Sequence, residues 1–214
     1  MTRGMMRTGA FATAGIFLLA GCGGGGGGDS SDKIKGADAA THSPSPSASA
    51  SAGVQRPKIT LPSRVKNVFE GQHTGDPKKD AVLADNARMV NSQDDAIARG
   101  KTDTPALDFY STGAALVSAQ VFVKEWVANG DTWGGVDRYY NRRVSFRADG
   151  AAVVIYCSDE SKAYFTDGKT GKVERSPGKS DAYTLYNTRL VKSPQGVWRT
   201  VDVTSKEGAS QCQP

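Results

Sequence analysis

The chain has 214 residues, 38% hydrophobic and 23% charged, with 27 Lys and Arg against 22 Asp and Glu for a formal net charge of +5. This mild positive balance is scattered, with Lys78-Lys79 and Arg142-Arg143 as its densest spots. It gives no support to a nucleic-acid role, and none is expected; loose attraction to anionic wall polymers or lipid head groups is the most it allows.

Arg3 and Arg7 precede an apolar run, Ala10 to Leu19, that closes on Leu19-Ala20-Gly21-Cys22. A basic start, a short apolar segment and small residues before a cysteine have the form of a lipoprotein signal peptide over residues 1–21. About ten apolar residues fall short of the roughly 20 that a spanning helix needs. Cleavage would make Cys22 the N-terminus and the site of lipid attachment, a diacylglyceryl thioether. The expected partner is then the membrane, through its lipid anchor, and the expected location is the extracytoplasmic face of the cell membrane. The two arginines are not adjacent, which favours the general secretory route over the twin-arginine one.

Residues 22–56 read as a tether. Six consecutive glycines, Gly23 to Gly28, and the Ser/Pro/Ala alternation from Ser43 to Gly53 cannot bury a core. A flexible segment of about 35 residues has a root-mean-square span on the order of 30 Å, enough to hold a domain clear of a lipid surface. Residues 57–214 then have the size of one globular domain.

With Cys22 lipidated, Cys157 and Cys212 remain, an even pair in an exported protein, and one disulfide is expected. Two distant cysteines and one domain histidine, His73, do not make a zinc site, so no metal and no cofactor are expected.

Within the domain, Leu61, Val65, Val68 and Phe69 suggest a strap or short helix packed on a pair of longer helices. Asp76-Pro77 places an N-cap before proline at the first helical position of that pair, and Gly100 marks a helix end. Between them Leu83, Ala87, Val90 and Ile97 share one face. A second helix is expected from about Thr112 to Asn129, stopped by Gly130. Ala115, Leu116, Ala119, Phe122, Val123, Trp126 and Val127 form its buried stripe, with Ser118, Lys124 and Glu125 opposite. Beyond Trp133 the period changes to two. Runs at Tyr139–Phe146, Ala152–Cys157, Ser161–Phe165, Tyr183–Lys192 and Val197–Thr204 are separated by turn signals at Asp149-Gly150, Asp167-Gly168, Thr170-Gly171 and Ser193–Gly196. The expected class is α+β, with N-terminal helices on a strongly twisted, cone-like antiparallel sheet of four to five strands. In that arrangement Cys157 ends a strand and Cys212 pins the C-terminal tail onto the sheet.

Several features carry a family resemblance over about Asp76 to Cys212. They are the helix order, the Tyr110-Ser-Thr-Gly113-Ala-Ala-Leu116 opening of the second helix, the strand-ending Cys157-Ser-Asp159, and the terminal Cys212. On these the domain resembles the nuclear transport factor two-like, cystatin-like cone fold, as carried behind a tether by exported lipoproteins of high-GC Gram-positive bacteria. That fold implies a strand between the two helices, and Ala106–Tyr110 reads as its remnant.

Enzymes on the cone fold, the ketosteroid isomerases among them, need a carboxylate or histidine in a dry pocket facing a Tyr or acidic donor; the handling of such groups is a known case of pKa tuning. Candidate pocket residues here are Asp108, Tyr110, Trp126, Trp133, Asp137, Tyr139 and Tyr140. His73 lies in a polar loop and reads as exposed. No phosphate loop, dinucleotide fingerprint, Ser/His/Asp spacing or metal motif is present. The expectation is a non-enzymatic domain that binds an envelope protein or small ligand, or scaffolds, at the cell envelope. The alternative is a cofactor-free isomerase or dehydratase using the pocket acids and tyrosines. An acid buried beside a Tyr would favour the alternative; a cavity filled by Phe122 and Trp126 would favour binding through the surface.

Overall fold

In a computed structural model, which describes residues 54–176 and 180–214, the first helix, α1, runs Pro77–Arg99 between the expected caps. The Asp76 carboxylate accepts from the amides of Lys78 and Lys79, and Gly100 takes the left-handed conformation that closes the last turn. The expected signal peptide, Cys22 and nearly all of the tether lie outside the described residues.

Between the long helices the structure has a short helix, α2 (Pro105–Tyr110), and not a strand remnant. Pro105 sits in its first turn, and the Thr104 hydroxyl caps it by accepting from the Leu107 amide. Leu107 and Tyr110 are thereby turned into the core. The next helix, α3, is Gly113–Asn129, ended by left-handed Gly130. Ala115, Ala119 and Val123 are buried as expected, whereas Ser118 is half-buried and not on the solvent side. Val117 and Val121 are 61% and 54% exposed.

The sheet is mixed and has six strands. They are β1 (Val65–Phe69), β2 (Thr132–Phe146), β3 (Ala152–Thr166), β4 (Val173–Arg175), β5 (Tyr183–Lys192) and β6 (Trp198–Glu207). Their order is β1-β2-β3-β5-β6, with β4 on the far part of β3. The expected strap is β1, which pairs parallel to β2, so the sheet is not purely antiparallel. Five apolar-rich residues with no hairpin partner nearby carry no local sign of that pairing. The two expected runs across Ala152–Phe165 are one strand. Ser158, Asp159 and Glu160 look like a break, yet Ser158 pairs with Tyr139 and Thr184, and Asp159 with Arg138 and Tyr183. Cys157 is therefore internal to β3.

One core cluster joins Val82, Leu83, Met89 and Val90 of α1 to Tyr139, Val154, Tyr156, Leu190 and Trp198 of the sheet. A second joins Ala96 and Ile97 to Leu107, Ala119 and Val123. Each such large side chain removed from water contributes about 1.5–3 kcal/mol. α1 also buries three carboxylates that hold the incoming chain. Asp85 accepts from Arg56 at 2.6 Å, Asp95 from the Thr60 amide at 2.9 Å, and Asp94 from the Asn67 side chain at 2.6 Å. Among the described residues no helix is long and apolar enough to cross a membrane.

Candidate functional site

Two irregularities in the β2–β3 ladder build the interior. The first sets Asp137 opposite the extra residues Glu160 and Ser161. The second sets Asn141 and Arg142 opposite Tyr156. At the second, Asn141 has φ 51°, the one positive value outside glycine among the described residues. An extra residue in a strand shifts its inward and outward phase. Tyr139 points inward, Tyr140 outward, and Arg142, which strict alternation would send outward, points inward.

On the inner face Asp137 is 1% exposed, and the Tyr139 hydroxyl donates to its Oδ2 at 2.6 Å. Trp133, on the same strand, donates its indole N–H to Asp94 of α1 at 3.1 Å. Ser158 and Glu160 are buried on β3. An aromatic row then crosses the sheet: Phe69 stacks on Tyr139 with centroids 4.7 Å apart, Tyr139 meets Tyr156 edge-on at 6.0 Å, and Tyr156 stacks on Tyr186 at 5.0 Å. Helices α1 and α3 close over this row and leave a cavity of about 60 Å³. Its walls are Met89 and Gln93 of α1, Ser118 and Phe122 of α3, and the three tyrosines.

Of the seven candidate residues, the structure gathers Trp133, Asp137 and Tyr139 on the inner face of β2. The other four lie elsewhere. Asp108 is exposed on α2, where its carbonyl accepts from Arg199. Tyr110 is fully buried in the core, with Arg56 donating to its hydroxyl at 3.3 Å. Trp126 packs edge-on against Phe165 at 5.6 Å, so Phe122 lines the cavity and Trp126 does not. Tyr140 is on the outer face beneath the Arg138 guanidinium, 4.2 Å from its ring, and donates to the Cys212 carbonyl. Burial raises the Tyr140 pKa above the ordinary phenol value. His73 is 95% exposed, near Asp80.

Cys157 and Cys212 are at disulfide distance, with Cα atoms 5.5 Å apart across a separation of 55 residues. The bridge, with Ala209, forms a small outer cluster packed against Tyr140, Tyr183 and Leu185.

Sequence reading missed Tyr156, Tyr186, Glu160 and Arg142. The first two were in reach, because they alternate in phase with Val154 and Leu190 on their strands. Arg142 was not, since its inward turn depends on the bulge. Its Nη2 donates to the Leu83 carbonyl at 2.7 Å and to Asn86 at 3.1 Å, and Phe69 covers it at 5.2 Å. Burial pushes its pKa down to about 10, still charged at neutral pH.

A phenol donating to a buried carboxylate is the kind of pair that can shuttle a proton or hold an oxyanion. Here Tyr139 lies on the cavity wall, and Asp137 does not. Among the described residues no three His, Cys, Asp or Glu side chains gather at metal-binding spacing.

The fold and site thus define an α+β domain of helices on a twisted mixed sheet, with an acid–tyrosine pair behind a small interior cavity. No protein-family model and no curated protein matches the chain. Among solved structures it is similar to the intermembrane-space region of the chloroplast protein ARC6, at 16% identity and a TM-score of 0.41, covering 60% of this chain and 97% of that one. It is also similar to a ketosteroid isomerase-like protein from Erwinia carotovora atroseptica, at 18% identity and a TM-score of 0.39, covering 59% and 93%. Likenesses at this level say nothing of what the chain does.

Proposed function

We propose that this is an exported lipoprotein, anchored at Cys22 on the extracytoplasmic face of the cell membrane, whose domain works by binding or scaffolding at the cell envelope. The observation that carries the binding reading is the size and lining of the interior cavity. At about 60 Å³, with Phe122 filling one wall, it is far below the roughly 300–1,000 Å³ of ordinary small-molecule sites. Asp137 lies behind Tyr139, off that wall. Function then falls to the surface. The anchor rests on the signal-peptide pattern that closes on Leu19-Ala20-Gly21-Cys22 and on the tether composition.

The test is complementation of a deletion strain, with fractionation and palmitate labelling in parallel. The reading expects Asp137→Asn to restore the wild-type envelope phenotype and Cys22→Ala to lose both label and membrane partition. A Cys22→Ala protein that stays labelled in the membrane fraction sinks the anchor.

A second reading, a cofactor-free isomerase or dehydratase, is favoured by one observation, the 2.6 Å bond between Tyr139 and buried Asp137. Loss of complementation by Asp137→Asn, with circular dichroism and Tm close to wild type, would transfer the function to that pair.

A further inference from the structure

Four large apolar side chains stay exposed among the described residues, and two of them, Val117 and Val121, lie one turn apart on α3. They belong to one i, i+4 row, Gly113–Val117–Val121–Glu125, whose four members are all exposed. From Gly113 to Val123 the helix carries no charged residue, so the row meets water without the Lys and Glu that a solvated helix face displays. Single valines scattered on a surface need no account, whereas a pair on one ridge is what a helix–helix contact uses.

The two ends of the row say what covers it. At its start α3 has no side-chain cap and no acid in its first turn, and Gly113 has no side chain to cover the amides there. At its other end Glu125 brings a negative charge, and the last turn has no base. The start of a helix is the positive end of its aligned peptide dipoles and favours a carboxylate. The row is therefore complementary to itself when reversed. With two copies antiparallel and Val117 of each against Val121 of the other, the same register sets Glu125 against Gly113 of the other copy. Packing of i, i+4 rows on one another is the commonest helix–helix geometry. Ala114 and Ser118 in the adjoining row are small enough to receive the opposing valines, and Lys124 stands in a different row, with Gln120 and Ala128.

We propose that the exposed face of α3 is a contact surface for a second copy of this chain, in which two antiparallel α3 helices pack through Val117 and Val121 and each Glu125 covers the uncapped start of the other helix. A two-fold contact requires a surface complementary to itself, which the reversed row provides. One helix pair lies at the small end of specific interfaces, below about 1,200 Å², so the contact is weak and reversible. Copies anchored in one membrane would meet at a raised effective concentration. That gain rests on the proposed anchor, whereas the contact itself does not.

The test joins sedimentation with cysteine crosslinking, on the full chain carrying Cys22→Ser so that no acyl chain draws copies together. Sedimentation is expected to show monomer and dimer in exchange, half-associated somewhere between about 10 µM and 1 mM. Val117→Lys sets a charge on each ridge and is expected to weaken association at least about tenfold, with circular dichroism and Tm unchanged because the position is exposed. Glu125→Gln is expected to weaken it about two- to fivefold, the range for a charge at a helix terminus, and Lys124→Gln to leave it as it is. A Val117→Cys chain mixed with a Val121→Cys chain should form the mixed disulfide at no less than about fivefold the yield of the exposed control Val173→Cys with itself, since a bridge needs Cα atoms within about 7 Å. A chain that stays monomeric to about 1 mM, association indifferent to Val117→Lys, or a crosslinking yield no better than the control would each overturn the proposal. Association that responds to Val117→Lys but not to Glu125→Gln would overturn the antiparallel arrangement, and with it the argument for a second copy.

Discussion

Asp85→Asn tests the reasoning about how the incoming chain is held. Asp85 is buried on α1, and its two oxygens serve three donors: Arg56 at 2.6 Å, Arg88 at 3.0 Å and the Trp198 amide at 2.9 Å. It thus ties residues 54–64 and the first residue of β6 to one helix. Asparagine keeps the volume but loses the charge and one acceptor, so Trp198 and Arg56 cannot both be served. A lost hydrogen bond to a charged group contributes about 1.5–3 kcal/mol. The arginine side chains are 30% and 41% exposed, and screening reduces their share to a fraction of 1 kcal/mol each. The sum is about 2–3 kcal/mol, or roughly 5–10 °C in Tm for a domain of this size. Calorimetry at pH 7 would read the Tm, and hydrogen exchange should show faster opening at Trp198 and Thr60. A Tm change under about 1 °C, or a larger loss from Arg88→Gln alone, would refute the assignment of Asp85 as the shared anchor.

Removing the disulfide by Cys157→Ser is expected to lower stability by about 4 kcal/mol, from the chain-entropy estimate for a loop of this length, measured by urea unfolding; thiol counting on the denatured, unreduced protein should find no free pair. Tyr139→Phe leaves Asp137 Oδ2 without its phenolic donor and is expected to cost about 1–3 kcal/mol. The double variant with Asp137→Asn should lose less than the sum of the singles, and strict additivity would show the two groups to be uncoupled. On the acid side, the Ala151 amide and then Arg189 hold the Asp149 carboxyl below its ordinary pKa. Its contribution is therefore present above the unfolded value, near pH 4, and is lost as pH falls through the lower folded one. Tm against pH should drop in that window, and Asp149→Asn should flatten part of the drop.

Capping and turn chemistry are local, and they were legible. Asp76-Pro77 with Gly100, Gly130, and the turn at Asp149-Gly150 set boundaries that the structure keeps to within a few residues, because each depends on bonds made within a few positions of the chain. The α+β class was legible for the same reason, since periods of 3.6 and 2 are properties of short windows. What neighbours across the fold decide was not. β1 became a strand only by lying parallel to β2, more than 60 residues away. Ala106–Tyr110 became a helix because Thr104 and Pro105 outweighed a strand-like composition. Ser158 and Asp159 stayed in β3 because both flanking strands take up their backbone. At the candidate site, Asp137 and Tyr139 were in reach because residues two apart on a strand share a face. Arg142 was not, because a single extra residue opposite Tyr156 reverses the phase of everything after it. A bulge of that kind is set by the partner strand, which no window of the sequence contains.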